Sequence, residues 1–201
     1  KSTLASTLMG NEEMEVTQGE VLFDNKDLLD LEVHERANNG LFLAFQYPVE
    51  VSGVPLINFL KLAYEKRFDT KITPGKFLRL INEKAADLKI KKELLQRYLN
   101  EGFSGGEKKK VEILQMAILQ PKFAILDETD SGLDISALKV VSEGVQQVHK
   151  ETKMGVLIIT HYSRILNYLK PDKIHVLVEG KIVESGGMEI VERLEEKGYT
   201  E

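Results

Sequence analysis

Short apolar runs alternate with segments of helical periodicity in the second half of the chain. Residues 123–126, 155–159 and 174–178 are predicted strands, and residues 135–148 and 163–169 between them are predicted helices. Strands that are joined through helices pair in parallel, because each helix returns the chain to the same end of the sheet. The alternation therefore predicts an α/β fold with a mainly parallel sheet flanked by helices.

The first part of the chain supplies further elements of this core. Residues 2–9 combine small and apolar side chains and predict a helix, which Gly10 would end. Residues 41–45 form a continuous apolar run, which is typical of a strand that is buried on both faces. A shorter strand is expected at residues 19–23.

A helical insert is predicted between two parts of the core. From about residue 55 to residue 100, apolar residues recur at helical spacing with Lys and Glu between them. This pattern predicts an all-helical segment. We therefore expect a helical subdomain at residues 49–103 and a core domain at residues 1–48 and 104–201.

The composition limits the classes of partner. The 201 residues carry 27 Lys and Arg against 32 Asp and Glu, and the net charge of −5 argues against nucleic acid as a partner. No apolar run approaches the roughly 18 residues of a membrane-spanning helix, so direct membrane insertion is not expected. The absence of Cys excludes disulfides and fits a reducing compartment, and we expect the protein in the cytoplasm.

Polar side chains follow three of the predicted strands at the point where each strand ends. Gln46 follows the strand at residues 41–45, Asp127 and Glu128 follow the next, and His161 follows the one after that. Ligands of parallel sheets bind beyond the carboxyl ends of the strands. Each of these residues alone could be an ordinary turn or loop residue, but their coincidence favours a shared site.

A second motif combines glycines with a predicted helix start. Ser104 and Glu107 have the spacing of a capping box, and Gly105 and Gly106 allow a ligand to approach the backbone N–H groups. An anion site at the helix N-terminus and an ordinary capped helix are both compatible with this pattern. The three lysines that follow, residues 108–110, are expected on a solvated helix face.

The first three residues, Lys1, Ser2 and Thr3, resemble the end of the phosphate-binding loop G-x-x-x-x-G-K-[ST]. In that loop the lysine reaches the β- and γ-phosphates and the next hydroxyl binds Mg²⁺. Three residues are a weak motif on their own. An aspartate at the end of an apolar strand, such as Asp127, is the usual second part of the same magnesium site.

Together these motifs resemble an ABC ATPase domain over essentially the whole chain. The order is Lys1 to Thr3, then Gln46, then residues 103–107, then residues 125–134, and finally His161. The resemblance implies a P-loop NTPase fold, ATP and Mg²⁺ as cofactors, and hydrolysis of ATP by transfer of a phosphoryl group to water.

Within this family the chain is most similar to the SufC branch, the ATPase subunits of the SUF iron–sulfur cluster assembly system. The similarity lies in Phe-Gln-Tyr-Pro at residues 45–48, in residues 103–109 and 127–134, and in Thr-His-Tyr at residues 160–162 followed by Lys-Pro-Asp at residues 170–172. It implies partners of the SufB/SufD scaffold type.

The resemblance also implies roles for the residues that bind nucleotide and metal. Lys1 would bind the β- and γ-phosphates, Ser2 would bind Mg²⁺, and Thr3 would lie on the α-phosphate side. Asp127 would hold Mg²⁺, largely through water. Gln46 would sense Mg²⁺ and the attacking water.

Further implied roles concern hydrolysis and dimerisation. Glu128 would polarise the attacking water and His161 would contact the γ-phosphate. Residues 104–106 would complete the nucleotide site of a second copy of the chain, and Asp134 would bridge the two sites. ATP hydrolysis would thereby depend on the association of two copies.

The chain departs from the family pattern in two respects. Lys110 stands where the family usually has Arg, and lysine lacks the planar fork with which Arg makes bidentate contacts. The family's adenine-stacking aromatic and phosphate-loop glycines precede the position of Lys1, so we expect the natural protein to be longer and a chain starting at Lys1 to bind Mg-ATP poorly.

Two other functions are alternatives to a SUF ATPase. They are the ATP-binding subunit of a membrane transporter and a regulatory module that does not hydrolyse ATP.

Overall fold

The computed structural model describes residues 1–197, so the last four residues of the expected core domain, 198–201, lie outside the described part. The helices are α1 (Ser2–Met9), α2 (Val33–Asn39), α3 (Leu56–Arg67), α4 (Pro74–Asp87), α5 (Lys92–Leu95), α6 (Gly105–Leu119), α7 (Ile135–Thr152) and α8 (Glu189–Lys197), with a 3₁₀ helix at Ser163–Asn167. The strands are β1 (Leu22–Phe23), β2 (Lys26–Asp27), β3 (Leu41–Ala44), β4 (Val51–Pro55), β5 (Tyr98–Leu99), β6 (Phe123–Asp127), β7 (Gly155–Ile159), β8 (Ile174–Val178) and β9 (Lys181–Gly186).

A parallel sheet in the order β3-β6-β7 forms the centre of the fold. The middle strand β6 is the most apolar, and its residues Ala124, Ile125 and Leu126 are completely buried. Because both faces are covered, the strand reads as a continuous apolar run rather than an alternating one. The predicted α/β class with parallel pairing is confirmed, and the carboxyl ends of all three strands lie at one edge.

The last two strands depart from the predicted parallel pattern. Within the described residues, β8 pairs antiparallel with β9 in a separate two-stranded sheet. Glu179 and Gly180 both have positive φ, 47° and 80°, which is the backbone of a tight hairpin turn. Such a turn brings the chain straight back, so β9 becomes the neighbour of β8.

Two further predictions require correction. The strand expected at residues 19–23 is reduced to Leu22–Phe23, because Asp24 and Asn25 turn the chain with φ of 51° and 62° and pair Phe23 with Lys26. The insert is not all-helical. It contains α3, α4 and α5, but β4 and β5 pair antiparallel at its two ends, where Val51 lies opposite Leu99.

The insert packs on α6, the helix that follows the Ser-Gly-Gly-Glu motif. Leu60, Phe77 and Ile81 from α3 and α4 are buried in one apolar cluster with α6 and α7. Gly144 of α7 lets the end of α4 approach α7 closely, because a Cβ atom there would lie 2.5 Å from the Leu88 side chain. Helix α6 is thereby held between the insert and the sheet.

Helix ends agree with the sequence signals. Gly10 ends α1 in the left-handed conformation, with φ of 84°. Ser104 caps α6 and forms the predicted capping box with Glu107. Asp134 caps α7 by accepting the Ala137 N–H at 2.7 Å. None of the helices within residues 1–197 has the length and apolarity that a membrane span requires.

Candidate nucleotide site

Three strand ends bring Gln46, Glu128 and His161 together. The Gln46 side-chain amide donates a hydrogen bond from Nε2 to Glu128 Oε2 at 2.6 Å. His161 Nδ1 lies 3.2 Å from the other carboxylate oxygen, Glu128 Oε1. The Glu128 carboxylate is therefore held from both sides by the residues that follow β3 and β7.

The backbone of Glu128 is also unusual. Its φ is 45°, a left-handed conformation that a non-glycine residue adopts at a cost, and such residues concentrate at functional sites. The Glu128 N–H donates to Ile159 O at 2.8 Å, which continues the β6–β7 ladder by one residue. The carboxylate is thus aimed by a fixed and strained backbone rather than by a free loop.

Asp127 lies one residue earlier and has a different environment. Its side chain is buried, and Oδ1 has no hydrogen-bond partner within the described residues. An unpaired buried carboxylate oxygen is costly unless a cation or water meets it, so this atom fits Mg²⁺ or a water bound to it. Residues 1–197 contain no cluster of three His, Asp or Glu side chains suited to a metal, so a Mg²⁺ held by Asp127 would take its other ligands from the Ser2 hydroxyl, phosphate and water.

The Lys1-Ser2-Thr3 segment lies at the same edge of the sheet. Lys1 is the N-cap residue of α1 and donates from Nζ to Thr160 O at 3.2 Å, next to His161. Ser2 and Thr3 form the first turn of the helix, and no side chain caps its free N–H groups. Free N–H groups and the positive end of a helix are suited to bind phosphate.

The Ser-Gly-Gly-Glu motif has a hydrogen-bond network of its own, between Ser104 and Glu107. Within residues 1–197, no hydrogen bond joins Ser104 to Gln46, Glu128 or His161. A Cβ atom at Gly105 would meet nothing within 4 Å, so the backbone of the first turn of α6 is open to a ligand. The hydrogen bond from the Ser104 backbone lowers the pKa of Glu107 and keeps it ionised in the capping box.

The same face includes the start of α7. A Cβ atom at Gly106 would lie 3.6 Å from the Ala137 Cβ, so the first turns of α6 and α7 are in contact. Asp134 caps α7 at this point. Ser104, Gly106 and Asp134 therefore lie near one another at the starts of two helices that are in contact.

Asp130 is part of the site and carried no individual role in the sequence analysis. Its side chain is fully buried and accepts hydrogen bonds from Thr160 Oγ1 at 3.1 and 3.2 Å. Arg164 Nη2 donates to the Asp130 carbonyl oxygen at 2.6 Å. Asp130 thus connects the turn after β6 to Thr160, the residue before His161.

The expectation of a solvated lysine face at residues 108–110 is wrong for Lys109. Lys109 is buried and forms a 3.1 Å ion pair with Glu112, which is buried as well. The two residues are three apart on α6 and lie on its apolar face with Ile113 and Met116. Opposite charges at that spacing within an apolar stripe are the signal that could have identified the pair.

The profile of the ABC transporter family matches residues 1–131 of the chain. The chain belongs to this family of ABC ATPases. The cassette is 53% identical over 201 residues to Vegetative protein 296 of Bacillus subtilis strain 168, with 99% of the cassette and 77% of that protein covered. It is 52% identical over 203 residues to the probable ATP-dependent transporter ycf16 of Cyanophora paradoxa, with 99% and 78% covered.

Solved structures share the fold of the cassette. The dimeric post-hydrolysis structure of the ATP-binding cassette MJ0796, bound to ADP and Pi, superposes with a TM-score of 0.78 at 16% identity and covers 92% of the cassette and 81% of that chain. The structure of an ATP-binding subunit of an ABC transporter gives a TM-score of 0.77 at 22% identity, with 100% and 79% covered. At these identities the likeness establishes the fold alone.

Proposed function

We propose that the cassette hydrolyses ATP with Mg²⁺ at the edge of the sheet formed by the ends of β3, β6 and β7. The observation that carries this proposal is the joint contact of Gln46 and His161 with the Glu128 carboxylate. Phosphoryl transfer needs charge neutralisation and positioning more than covalent chemistry. These three side chains offer the positioning, and Lys1 would supply positive charge. Mg²⁺, when bound, neutralises charge that develops on the phosphate oxygens.

The nucleotide would lie between the strand ends and the start of α1. Lys1 would pair with the β- and γ-phosphates, Thr3 would lie on the α-phosphate side, and Ser2 would share Mg²⁺ with Asp127. The open N–H groups at the start of α1 and the unpaired Asp127 Oδ1 support this orientation.

Glu128 would act as the base toward the attacking water. In the observed arrangement both of its oxygens are engaged, one by Gln46 and one by His161. Each carboxylate oxygen can accept a second hydrogen bond, so a water can approach Glu128 beside these contacts. We infer that the γ-phosphate draws His161 toward itself while Gln46 turns toward Mg²⁺ and the water.

A second copy of the chain would complete the site. We propose that Ser104, Gly105 and Gly106 bind the nucleotide of the partner copy and that Asp134 bridges the two sites. The uncovered backbone at Gly105 and the contact between the starts of α6 and α7 support this surface. The dimeric MJ0796 cassette shows that this fold can associate in pairs.

For the cellular role we propose an ATPase of the SUF system that changes the conformation of a SufB/SufD-type scaffold in the cytoplasm. The motifs shared with that branch support it, and two of their residues, Lys109 and Asp130, are buried and bonded in this fold. With no Cys in the chain, the cluster itself would be held by the scaffold.

The surface next to the site fits such a partner. Residues 45–50, here called the Gln46 loop, expose Phe45, Tyr47 and Val49, and Tyr98 of β5 is exposed as well. Tyr47 is 77% exposed, which is unusual for a large aromatic side chain unless it meets a partner. We propose that the scaffold docks here and moves Gln46.

The second candidate is the ATP-binding subunit of a membrane transporter. The names of several relatives favour it, since they are probable ABC transporter ATP-binding proteins or probable ATP-dependent transporters. Such a subunit would use the same nucleotide site and dock membrane subunits on the same Gln46 loop.

Co-purification separates the two roles. The full-length protein is tagged at its C-terminus and isolated from its own cells, and iron and labile sulfide are measured in the eluate. Soluble scaffold subunits with both would support the SUF role, and polytopic membrane proteins would replace it with the transporter role. Tyr47→Asp is expected to abolish the association, whereas Leu78→Asp, at an exposed apolar residue of α4, is expected to retain it.

A further inference from the structure

The Gln46 loop is bonded to the segment that carries the Ser-Gly-Gly-Glu motif. Four contacts join the two, on both sides of Gln46. The residues involved are Phe45, Val49 and Glu50 on the loop and Asn100, Lys108, Lys109 and Glu112 on the other segment. Gln46 itself makes its side-chain hydrogen bond to Glu128 instead.

The first set of contacts holds the backbone of Phe45 from both sides. The Phe45 N–H donates to Glu112 Oε1 at 2.8 Å, and Lys109 Nζ donates to the Phe45 carbonyl oxygen. Lys109 and Glu112 also bond to each other at 3.1 Å, and their side chains are only 4% exposed. The residue before Gln46 is therefore fixed to two successive positions on one face of α6.

The second set holds the far end of the loop. Asn100 Nδ2 donates to Val49 O at 2.9 Å, and Lys108 Nζ pairs with Glu50 Oε1 at 2.6 Å. The Lys108 pair is partly solvated and is the weaker restraint. With both ends held, Gln46 is positioned by α6 as much as by its own strand.

Holding the loop through the buried Lys109–Glu112 pair has a cost in desolvation free energy. Burial raises the pKa of Glu112 to about 7, although Lys109 and the Phe45 N–H lower it. Apolar residues of similar volume would fill this space without the cost of desolvating two polar groups. A pair with directional hydrogen bonds to both the N–H and the C=O of one residue instead specifies a single position for that residue.

We propose that Glu112 and Lys109 are positioning residues that couple Gln46 to α6, so that a displacement of the Ser-Gly-Gly-Glu motif changes the contact between Gln46 and Glu128. The motif and Gln46 would serve different nucleotides, one in the partner copy and one in the same copy. The pair would then transmit the engagement of the partner's nucleotide to the hydrolytic site. This inference rests on the ATPase function proposed above.

The kinetic test compares Glu112→Leu with Glu65→Leu in the full-length protein. Glu65 is the matched control because it is also buried and accepts a backbone N–H, from Ile72 at 3.1 Å, and a lysine, Lys61 at 2.6 Å. We expect Glu112→Leu to lower kcat about 10- to 100-fold with the KM for ATP changed by less than about twofold. Glu65→Leu is expected to leave both constants near those of the wild type.

Combination with Gln46→Ala shows whether the effect passes through Gln46. The double variant Gln46→Ala with Glu112→Leu should be no slower than Gln46→Ala alone, because residues on one path are not additive. Glu112→Gln keeps an acceptor for the Phe45 N–H and should recover most of the rate. If the two losses multiply, or if Glu65→Leu is equally slow, the coupling is refuted.

Hydrogen exchange tests the same pair without nucleotide. In Glu112→Leu, amides of residues 45–50 should exchange about tenfold faster than in the wild type, while those of β6 are unchanged. Should that variant fail to fold, Lys109→Met removes the donor to the Phe45 carbonyl at similar volume and is expected to give the same result. Unchanged exchange in the loop would overturn the inference. A wild type without ATPase activity would instead refute the proposed function and leave the exchange result to decide the coupling.

Discussion

The amide nitrogen of Gln46 donates to Glu128 Oε2 at 2.6 Å, although the two residues are 82 positions apart in the chain. The bond joins the ends of two neighbouring parallel strands, β3 and β6. His161 lies against the second oxygen, so each carboxylate oxygen has one side-chain partner. The orientation of the Glu128 carboxylate is therefore fixed by two side chains that follow two different strands.

Glu128→Gln is expected to separate ATP binding from hydrolysis. The amide cannot accept a proton from water, so kcat should fall about 100- to 10,000-fold, while ATP binding and the ATP-bound dimer persist. Steady-state rates and gel filtration with ATP measure the two properties. Glu143→Gln, at an exposed helix residue 3.9 Å from Lys139, is the control and should behave like the wild type. Turnover of Glu128→Gln at the wild-type rate would exclude Glu128 as the base.

Gly144→Ala is expected to destabilise the fold. The added Cβ would lie 2.5 Å from Leu88 and 2.7 Å from Ile113, which overpacks the contact between α7 and its neighbours. The expected loss in the free energy of unfolding is about 1–3 kcal/mol. Gly75→Ala in α4 has open space around it and should instead stabilise by about 0.4–1 kcal/mol. Denaturant unfolding of both variants measures the contrast, and equal effects would contradict the packing.

Glu65 is expected to contribute stability that is lost in acid. Its hydrogen bonds with Lys61, the Ile72 N–H and Lys71 lower its pKa from 4.5 to about 2. The folded state thus binds the proton more weakly than the unfolded state, so the contribution is present above pH 4.5 and disappears as the pH falls toward 2. The difference in unfolding free energy between the wild type and Glu65→Gln should shrink over that window. A difference that stays constant from pH 6 to pH 3 would refute the assignment.

Glu112 is expected to have the opposite pH dependence. Burial raises its pKa from 4.5 to about 7, against the effects of Lys109 and the Phe45 N–H. The folded state binds this proton more tightly than the unfolded state, so the wild type should lose stability relative to Glu112→Gln as the pH rises from 4.5 to 7. Unfolding curves at pH 5 and pH 7.5 for both proteins measure this change. A gain in relative stability over that interval would show that the ion pair outweighs burial.

Residues that follow continuous apolar runs could be located from the sequence. The runs that became β3, β6 and β7 end within one residue of their predicted ends, and the polar residues that follow them meet in the structure. Their proximity follows from parallel pairing alone. The capping box at Ser104 was equally visible, because its residue types and spacing are local.

Burial of polar side chains could not be predicted in the same way. Lys109 stands in a run of three lysines, and local composition favours solvent for all of them. The spacing of Lys109 and Glu112 indicates a pair, but the packing of the Gln46 loop against α6 is what shows that this lysine bonds to the Phe45 carbonyl oxygen. The position of Asp130 in the site is likewise visible only from its hydrogen bond with Thr160, which is 30 residues away in the chain. Both cases depend on contacts between elements that are distant in sequence.

The bond between Asp130 and Thr160 has a consequence for signalling between two copies. Asp130 precedes Asp134 by four residues, and Thr160 directly precedes His161. If loss of the terminal phosphate displaced His161, the start of α7 would therefore be displaced as well, on the face proposed to meet the other copy. Release of the phosphate and loosening of the dimer would then occur together, as two parts of one structural change.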